Sequence, residues 1–192
     1  MVNLKREKAI PLHFTTPRFM IRRYMLEDDQ ALFEAATESI NEVYPFLPWC
    51  HPDYSMEDTR GWLRTIASSW KDKQSYAFAI TDSSTGRFLG GCGLNSLDEN
   101  PVANLGYWIR SSEVNKGIAS ESTRGLLKFG FEHLGLIRIE IMMSTRNPAS
   151  QKVAIGANAK LEGTLRNRLQ LHGENHDALL YSLVPEDMIT NP

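Results

Sequence analysis

Two short stretches hold the residue types best suited to chemistry. The first is Val114-Asn115-Lys116-Gly117-Ile118-Ala119-Ser120-Glu121. A strand-like run over 103 to 110 precedes it, and a helix-like run to about Leu134 follows. A glycine turn between a strand and a helix aims several free backbone N–H groups at one point. With the positive end of the helix dipole, they make an anion site. A plain tight turn would use Gly117 equally well. The second stretch is Asn147-Pro148-Ala149-Ser150. Asparagine suits an N-cap and proline the first helical position, which puts Ser150 in a first helical turn. Glu113, His172 and His176 could move protons, and each is equally at home as a surface residue. Tyr181 alternates with Leu179 and Leu183, so it reads as core before it reads as a proton donor. His172 and His176 are spaced i,i+4, but Gly173 and Asn175 argue for a turn there, and no metal is expected.

The elements that position these stretches can be read along the chain. A length of 192 residues suits one domain with a sizeable core. The net charge of −2 gives no overall pull toward nucleic acid or an anionic membrane. Cys50 and Cys92 lie far apart without metal or redox spacing, which favours a reducing compartment. The charged start, Met1 to Ile10, is not a secretory signal, and no apolar run nears the ~20 residues of a membrane span. A cytoplasmic location is the expectation.

Residues 1 to 16 read as an N-terminal arm. Arg18 to Tyr24 reads as a strand and Glu27 to Glu38 as a helix with acids at its start. The stretch Tyr44-Pro45-Phe46-Leu47-Pro48-Trp49-Cys50-His51-Pro52 cannot be a regular helix or central strand. It is either a plug over the core or a wall that touches substrate. Ser55 and Asp58 form a capping-box pattern before a helix to Lys73, whose Trp62 and Trp70 read as core. Strands follow over 75 to 81, 87 to 97 and 102 to 110, the second carrying Gly90, Gly91 and Gly93 as a bulge or close approach. The helix after Gly117 has a polar stripe of Glu121, Arg124, Lys128 and Glu132. A strand over 137 to 143, a short helix from Pro148 and strands over 160 to 171 and 178 to 184 complete the chain. The last two join through a turn over 172 to 177. This order gives an α/β (α+β) domain on one mixed sheet.

The pattern strand, x-x-x-Gly-Ile-Ala, helix resembles the acyl-CoA pyrophosphate loop of the GNAT acetyltransferases, Gln/Arg-x-x-Gly-x-Gly/Ala. Gly117 and Ala119 keep its small positions, while Val114 replaces the polar first residue. Asn147-x-x-Ser150-x-x-Val153-Ala154, with Leu161-Glu162-Gly163 after it, is similar to the ribosomal-protein N-terminal acetyltransferase branch of that family. Asn158 and Ala159 stand where the branch has Gly-Phe. Gly106-Tyr107-Trp108 and Pro45-Phe46-Leu47-Pro48-Trp49 also match, and the likeness runs from Arg18 to near the end of the chain.

The resemblance implies one acetyltransferase domain over 1–192. Its sheet would be largely antiparallel and splayed, of about seven strands with about four flanking helices. Acetyl-CoA would be the cosubstrate, with no metal. Its thioester would lie along Tyr107, Trp108 and Ile109. Its pyrophosphate would meet Asn115, Lys116, Gly117, Ile118, Ala119 and Ser120. Asn147 and Ser150 would face the pantetheine and sulfur, with Ser150 the donor to the leaving thiolate. Phe46, Leu47, Trp49 and Asn104 would line the acceptor side. The family commonly has a glutamate base at the position of Asn104, and an asparagine there cannot take a proton usefully. Without a strong base, the acceptor matters. At neutral pH, freeing an α-amine (pKa about 7.7–8.0) costs about 1 kcal/mol, and freeing a lysine (pKa about 10.4) about 4.6 kcal/mol.

A protein N-terminus, as in ribosomal proteins, is therefore the leading acceptor. A small amine such as an antibiotic or polyamine is the alternative, and Glu42, Asp53, Glu99 and Glu174 could favour such cations. A non-catalytic acyl-CoA-binding module is the alternative from another class. A homodimer is compatible with the family. A nucleotide P-loop is not expected, because no Gly-x-x-x-x-Gly-Lys-Ser/Thr run occurs.

Overall fold

The computed structural model describes residues 9–95, 97 and 100–188. Its centre is a sheet of eight strands: β1 (His13–Thr15), β2 (Phe19–Arg23), β3 (Tyr76–Asp82), β4 (Phe88–Asn95), β5 (Val102–Ile109), β6 (Arg138–Ser144), β7 (Lys160–Leu171) and β8 (Glu174–Leu183). Their order across the sheet is β1-β2-β3-β4-β5-β6-β8-β7. All neighbours run antiparallel except β5 and β6, which are parallel. Five α-helices accompany them among the described residues: α1 (Asp29–Glu38), α2 (Ile40–Val43), α3 (Met56–Lys71), α4 (Ile118–His133) and α5 (Pro148–Gly156).

The expected mixed, largely antiparallel sheet is present with one strand more. The extra strand lies inside what reads as an N-terminal arm. His13, Phe14 and Thr15 pair with Arg22, Ile21 and Met20. Phe14 packs on Phe129 at 5.2 Å and on Phe78 at 5.4 Å, so tertiary contacts hold the strand. Residues 1–8 of that arm, and Glu99, lie outside the described residues. The extra helix, α2, is a single turn that ends before the prolines. The hairpin between β7 and β8 is also tighter than expected. Its turn is His172-Gly173, both at positive φ (52° and 82°), and β8 already begins at Glu174.

Local chemistry explains the main boundaries. At the start of α3, Ser55 Oγ accepts the Asp58 N–H at 3.2 Å, and Asp58 Oδ2 accepts the Ser55 N–H at 2.9 Å. At the start of α5, Asn147 Oδ1 accepts the Ser150 N–H at 3.0 Å, with Pro148 as the first helical residue. Asn158, just past α5, takes the left-handed conformation at φ 62°.

One core cluster lies between the sheet and helices α4 and α5, with Phe78, Phe129, Leu126, Leu127, Ile139 and Ile141 fully buried or nearly so. A second lies under α1 and α3, around Leu32, Leu63, Cys50 and Trp108. Trp70 belongs to the first cluster, edge-on to Tyr76 and Phe78. Trp62 stays 37% exposed and meets the second cluster edge-on at the Tyr24 ring. The expected irregularity among the glycines is a bulge at Leu89, where the β3–β4 register slips between Ile80 and Thr81. Next to it Gly90 has φ 150° and pairs with Ile109 of β5.

The β5–β6 junction sets up the site. Only Val102, Ala103 and Asn104 find partners, in Arg138, Ile139 and Glu140. Beyond them the two strands diverge, while β5 keeps its pairing with β4 through Ile109. Helix α4 connects β5 to β6 and packs on the sheet beneath this gap.

Candidate active site

The gap between β5 and β6 widens into a cavity of about 790 Å³. Its outer end is the loop into α4. Asn115 (φ 62°) and Gly117 (φ 76°) both take left-handed backbone conformations there, and Gly117 is the N-cap. The first N–H to return to the cap carbonyl is that of Glu121, at 3.0 Å. The N–H groups of Ile118, Ala119 and Ser120 thus have no partner within the helix. These three residues, with Asn115 and Gly117, line the cavity. A backbone nest at the positive end of a long helix can hold a multiply charged phosphate group.

This loop is braced from behind. Arg18 donates from Nη1 to the Lys116 carbonyl at 3.0 Å and from Nε to Glu121 at 2.8 Å. Glu121 also accepts the Thr16 hydroxyl at 2.7 Å. Glu113 takes Arg87 at 2.7 Å and Lys116 Nζ at 2.9 Å. The Lys116 side chain therefore turns to the back of the loop, toward a second, smaller pocket of about 350 Å³. Of the residues the resemblance places on the pyrophosphate, Lys116 is the one whose side chain does not line the main cavity.

A further brace joins the α1–α2 corner to the chain leaving β5. Arg110 is ion-paired with Glu38, whose Oε1 accepts the Ser112 N–H at 2.8 Å. Ser39 Oγ accepts the Ser111 N–H at 2.9 Å, and Glu42 accepts the Ser111 hydroxyl at 2.6 Å. The Arg110 guanidinium, helped by Ser112, pulls the Glu38 carboxyl down from 4.5 to about 2. A depressed carboxylate stabilises the fold fully above its ordinary pKa. That contribution is lost as pH falls from about 4.5 toward 2. Glu38→Gln should cost about 1 kcal/mol near neutral pH, the scale of a solvent-screened pair, and close to nothing near pH 2.5. Urea unfolding of both proteins across that range checks it.

At the inner end, β5 and α5 meet. The Tyr107 phenol donates to Ser150 Oγ at 3.0 Å, and both residues line the cavity. Burial pushes the Tyr107 phenol up to about 12. Asn147 lines the cavity too, while its Oδ1 caps α5. Trp108 and Ile109 complete the β5 wall. Tyr181 does not reach this group. It is buried in the core and accepts from Gln151 Nε2 at 3.1 Å.

The opposite wall is more apolar. Phe46 and Leu47 line it, with Met142, Leu169 and Leu171. Trp49 does not. It stands behind the wall, edge-on to Trp108 at 5.4 Å and to Tyr54 at 5.6 Å. Asn104 faces the cavity at the closed end of the gap, and its Oδ1 is buried with no hydrogen-bond partner among the described residues. An orphaned acceptor costs roughly 1–3 kcal/mol. The histidines are otherwise engaged. His172 donates from Nε2 to the Tyr44 carbonyl at 2.9 Å and meets the Tyr44 ring at a tilt, centroids 4.1 Å apart. His176 is hydrogen-bonded through Nδ1 to Ser144 Oγ at 2.9 Å. Neither histidine lines the cavity, and Glu113, which does, is paired with Arg87 and Lys116. Among the described residues, no cluster of three His, Cys, Asp or Glu side chains could hold a metal ion, and no helix is long and apolar enough to cross a membrane.

The sequence reading gave Tyr107 only a place along the cavity wall. Its bond to Ser150 joins residues 43 positions apart, and no local pattern announces it. The Glu38–Arg110 brace was likewise invisible, since only the fold brings the α1 corner to the end of β5.

Comparison with known proteins adds four findings. A family model described as an acetyltransferase (GNAT) domain matches residues 18–158. "Uncharacterized N-acetyltransferase p20" of Bacillus licheniformis is 29% identical over 173 residues, covering 90% of this chain and 96% of that protein. The "Ribosomal-protein-serine acetyltransferase" of Escherichia coli K12 is 27% identical over 140 residues, covering 72% of this chain and 76% of that protein. Among solved structures, "RimL- Ribosomal L7/L12 alpha-N-protein acetyltransferase in complex with Coenzyme A" superposes with a TM-score of 0.82 at 24% identity, over 92% of this chain and 98% of that one.

Proposed function

The chain belongs to the GNAT acetyltransferases, and from that premise we propose that it transfers acetyl from acetyl-CoA to a protein N-terminal α-amine, such as that of a ribosomal protein. The observation that carries this reading is one cavity with two chemically different ends. A helix terminus with free N–H groups closes one end, and a half-buried hydroxyl pair occupies the other. A long molecule with an anionic middle and a reactive tip fits that layout.

Acetyl-CoA supplies the activated thioester. The N–H groups of Ile118, Ala119 and Ser120 hold its pyrophosphate. The β5 backbone along Tyr107, Trp108 and Ile109 has lost its neighbour on the gap side and hydrogen-bonds the pantetheine arm. Asn104 lies at the acceptor end of the cavity. The lone pair of the acceptor amine attacks the carbonyl carbon, and the C–S bond breaks with its electrons on sulfur. Ser150 Oγ–H lies at the end of β5 and serves the departing sulfur. The net proton movement is one proton from nitrogen to sulfur. The carboxylates that line the cavity, Glu42 and Glu113, are engaged with Ser111 and with Arg87 and Lys116, so an amine that is partly neutral at working pH is favoured. The largely apolar acceptor wall, with Phe46, Leu47 and Met142, suits a single amine better than a polycation.

Gly117 provides a first check. A β-branched side chain at φ 76° is strained by roughly 1–2 kcal/mol. Relaxing that strain would turn the nest. Gly117→Val should weaken acetyl-CoA binding about 10-fold or more, as read by calorimetry.

The reading itself is tested by thiol release from acetyl-CoA with two acceptor pools. One holds peptides with free Ser, Ala or Thr N-termini, and the other polyamines and aminoglycosides. Release with peptides alone supports the proposal. Release with small amines alone replaces it with small-molecule acetylation.

A further inference from the structure

We propose that Tyr107 is a positioning residue, whose phenol holds the Ser150 hydroxyl with its hydrogen turned toward the departing sulfur. The inference rests on the acetyl-transfer reading and on Ser150 as the group that serves the sulfur.

The argument starts from hydrogen-bond capacity. A serine hydroxyl has one hydrogen and two lone pairs. Left alone, it spends that hydrogen on whichever acceptor is nearest. The oxygen it is bonded to here is the Tyr107 phenol, at 3.0 Å. If Ser150 donated to it, nothing would remain for sulfur. The direction of this bond therefore decides whether the serine can act.

Three observations fix the direction. The phenol is largely buried, and a buried O–H needs an acceptor. The acceptor it has is Ser150 Oγ. Burial also lifts the phenol to about 12, so it stays protonated and remains a donor at any ordinary working pH. Ser150, in turn, is pinned at its own backbone: its N–H is bonded to Asn147 Oδ1 at 3.0 Å, and Pro148 stiffens the start of α5. With one lone pair occupied by the phenol, the serine hydrogen points away from Tyr107 toward the cavity both residues line.

The phenol's own hydrogen is engaged on Ser150 Oγ, so Tyr107 acts on the sulfur only through the serine. The balance closes without it. As the C–N bond forms and the C–S bond breaks, Ser150 gives its hydrogen to sulfur. It regains one from the acceptor nitrogen through solvent. Tyr107 begins and ends the cycle protonated.

The test is a double-mutant cycle on the full-length chain with acetyl-CoA and the best acceptor. Tyr107→Phe keeps the ring and removes only the hydroxyl. It should lower kcat about 3- to 10-fold, the value of one neutral hydrogen bond, and leave the KM for acetyl-CoA unchanged. Combined with Ser150→Ala, it should slow the enzyme no further, because its whole effect passes through the serine. Melting temperatures of the variants show that each is folded. Either of two results overturns the proposal. One is a raised KM at constant kcat, which would make Tyr107 a wall of the cavity and nothing more. The other is a double variant slowed by the product of the two single effects, which would make the residues independent. A wild-type protein that binds acetyl-CoA and acetylates no amine would sink the acetyl-transfer reading, and this inference with it. A normal wild-type rate beside an unaffected Tyr107→Phe would sink this inference alone.

Discussion

Replacing Ser150 with alanine is expected to lower kcat about 100-fold while leaving acetyl-CoA affinity nearly unchanged. General acids contribute on the order of 10²–10⁴, and the low end applies here because a thiolate is already a fair leaving group. The loss is confined to kcat for a structural reason. The serine backbone N–H, not its hydroxyl, binds Asn147 Oδ1, so the α5 cap survives the change. Alanine also suits a first helical turn. Steady-state kinetics with acetyl-CoA varied at saturating acceptor separates the two parameters. An unchanged kcat would remove Ser150 from the mechanism and return it to the role of an ordinary polar residue.

The largest expected effect on stability is at Gly90. A Cβ there would lie 2.2 Å from the Trp108 carbonyl oxygen and 2.9 Å from the Ile109 Cα. Both are backbone atoms of β5, so no side-chain rotation relieves the clash. The φ of 150° adds backbone strain of its own. Gly90→Ala should cost about 3 kcal/mol, at the upper end for overpacking. For a chain of this size, that lowers Tm by roughly 6–12 °C. Gly163, also in a strand, has nothing within 4 Å of its virtual Cβ. Gly163→Ala should be close to neutral, and thermal melts of the pair provide the comparison. The Gly90 change also reaches the site, since it pushes β5 toward the gap at Trp108 and Ile109. The KM for acetyl-CoA should rise in whatever fraction remains folded.

Much of this was legible because its determinants are local. The turn at Gly117, the Asn147-Pro148 helix start, the Ser55–Asp58 capping box and the alternation of β6 are each written within a few residues. So was the left-handed Asn158. The parts that escaped depend on contacts between distant segments. His13-Phe14-Thr15 is too short to show alternation, and becomes a strand because Phe14 docks between Phe78 and Phe129. The run 172–177 is polar enough to read as one long turn. His176 instead enters the strand because its ring finds Ser144 on β6. Trp49 lies in the right segment for the acceptor wall, but Trp108 offers it a ring to pack on and draws it behind that wall. Lys116 sits at a loop position that faces ligand in the family, and Glu113 turns its side chain to the rear.

The short β5–β6 junction also bears on how the molecule moves. Three residue pairs, α4 and contacts such as Tyr107–Ser150 and His172–Tyr44 hold two plates together, β1–β5 on one side and β6–β8 on the other. The seam is the weakest line through the sheet, so opening there costs less than unfolding either plate. Backbone amides of β5 on the seam side should exchange with solvent early in the free protein. A ligand laid along the seam replaces the missing strand, slows that exchange and adds its binding energy to the fold. On the proposed reading acetyl-CoA would stand beside β5 as a temporary ninth strand, lost and regained at each turnover.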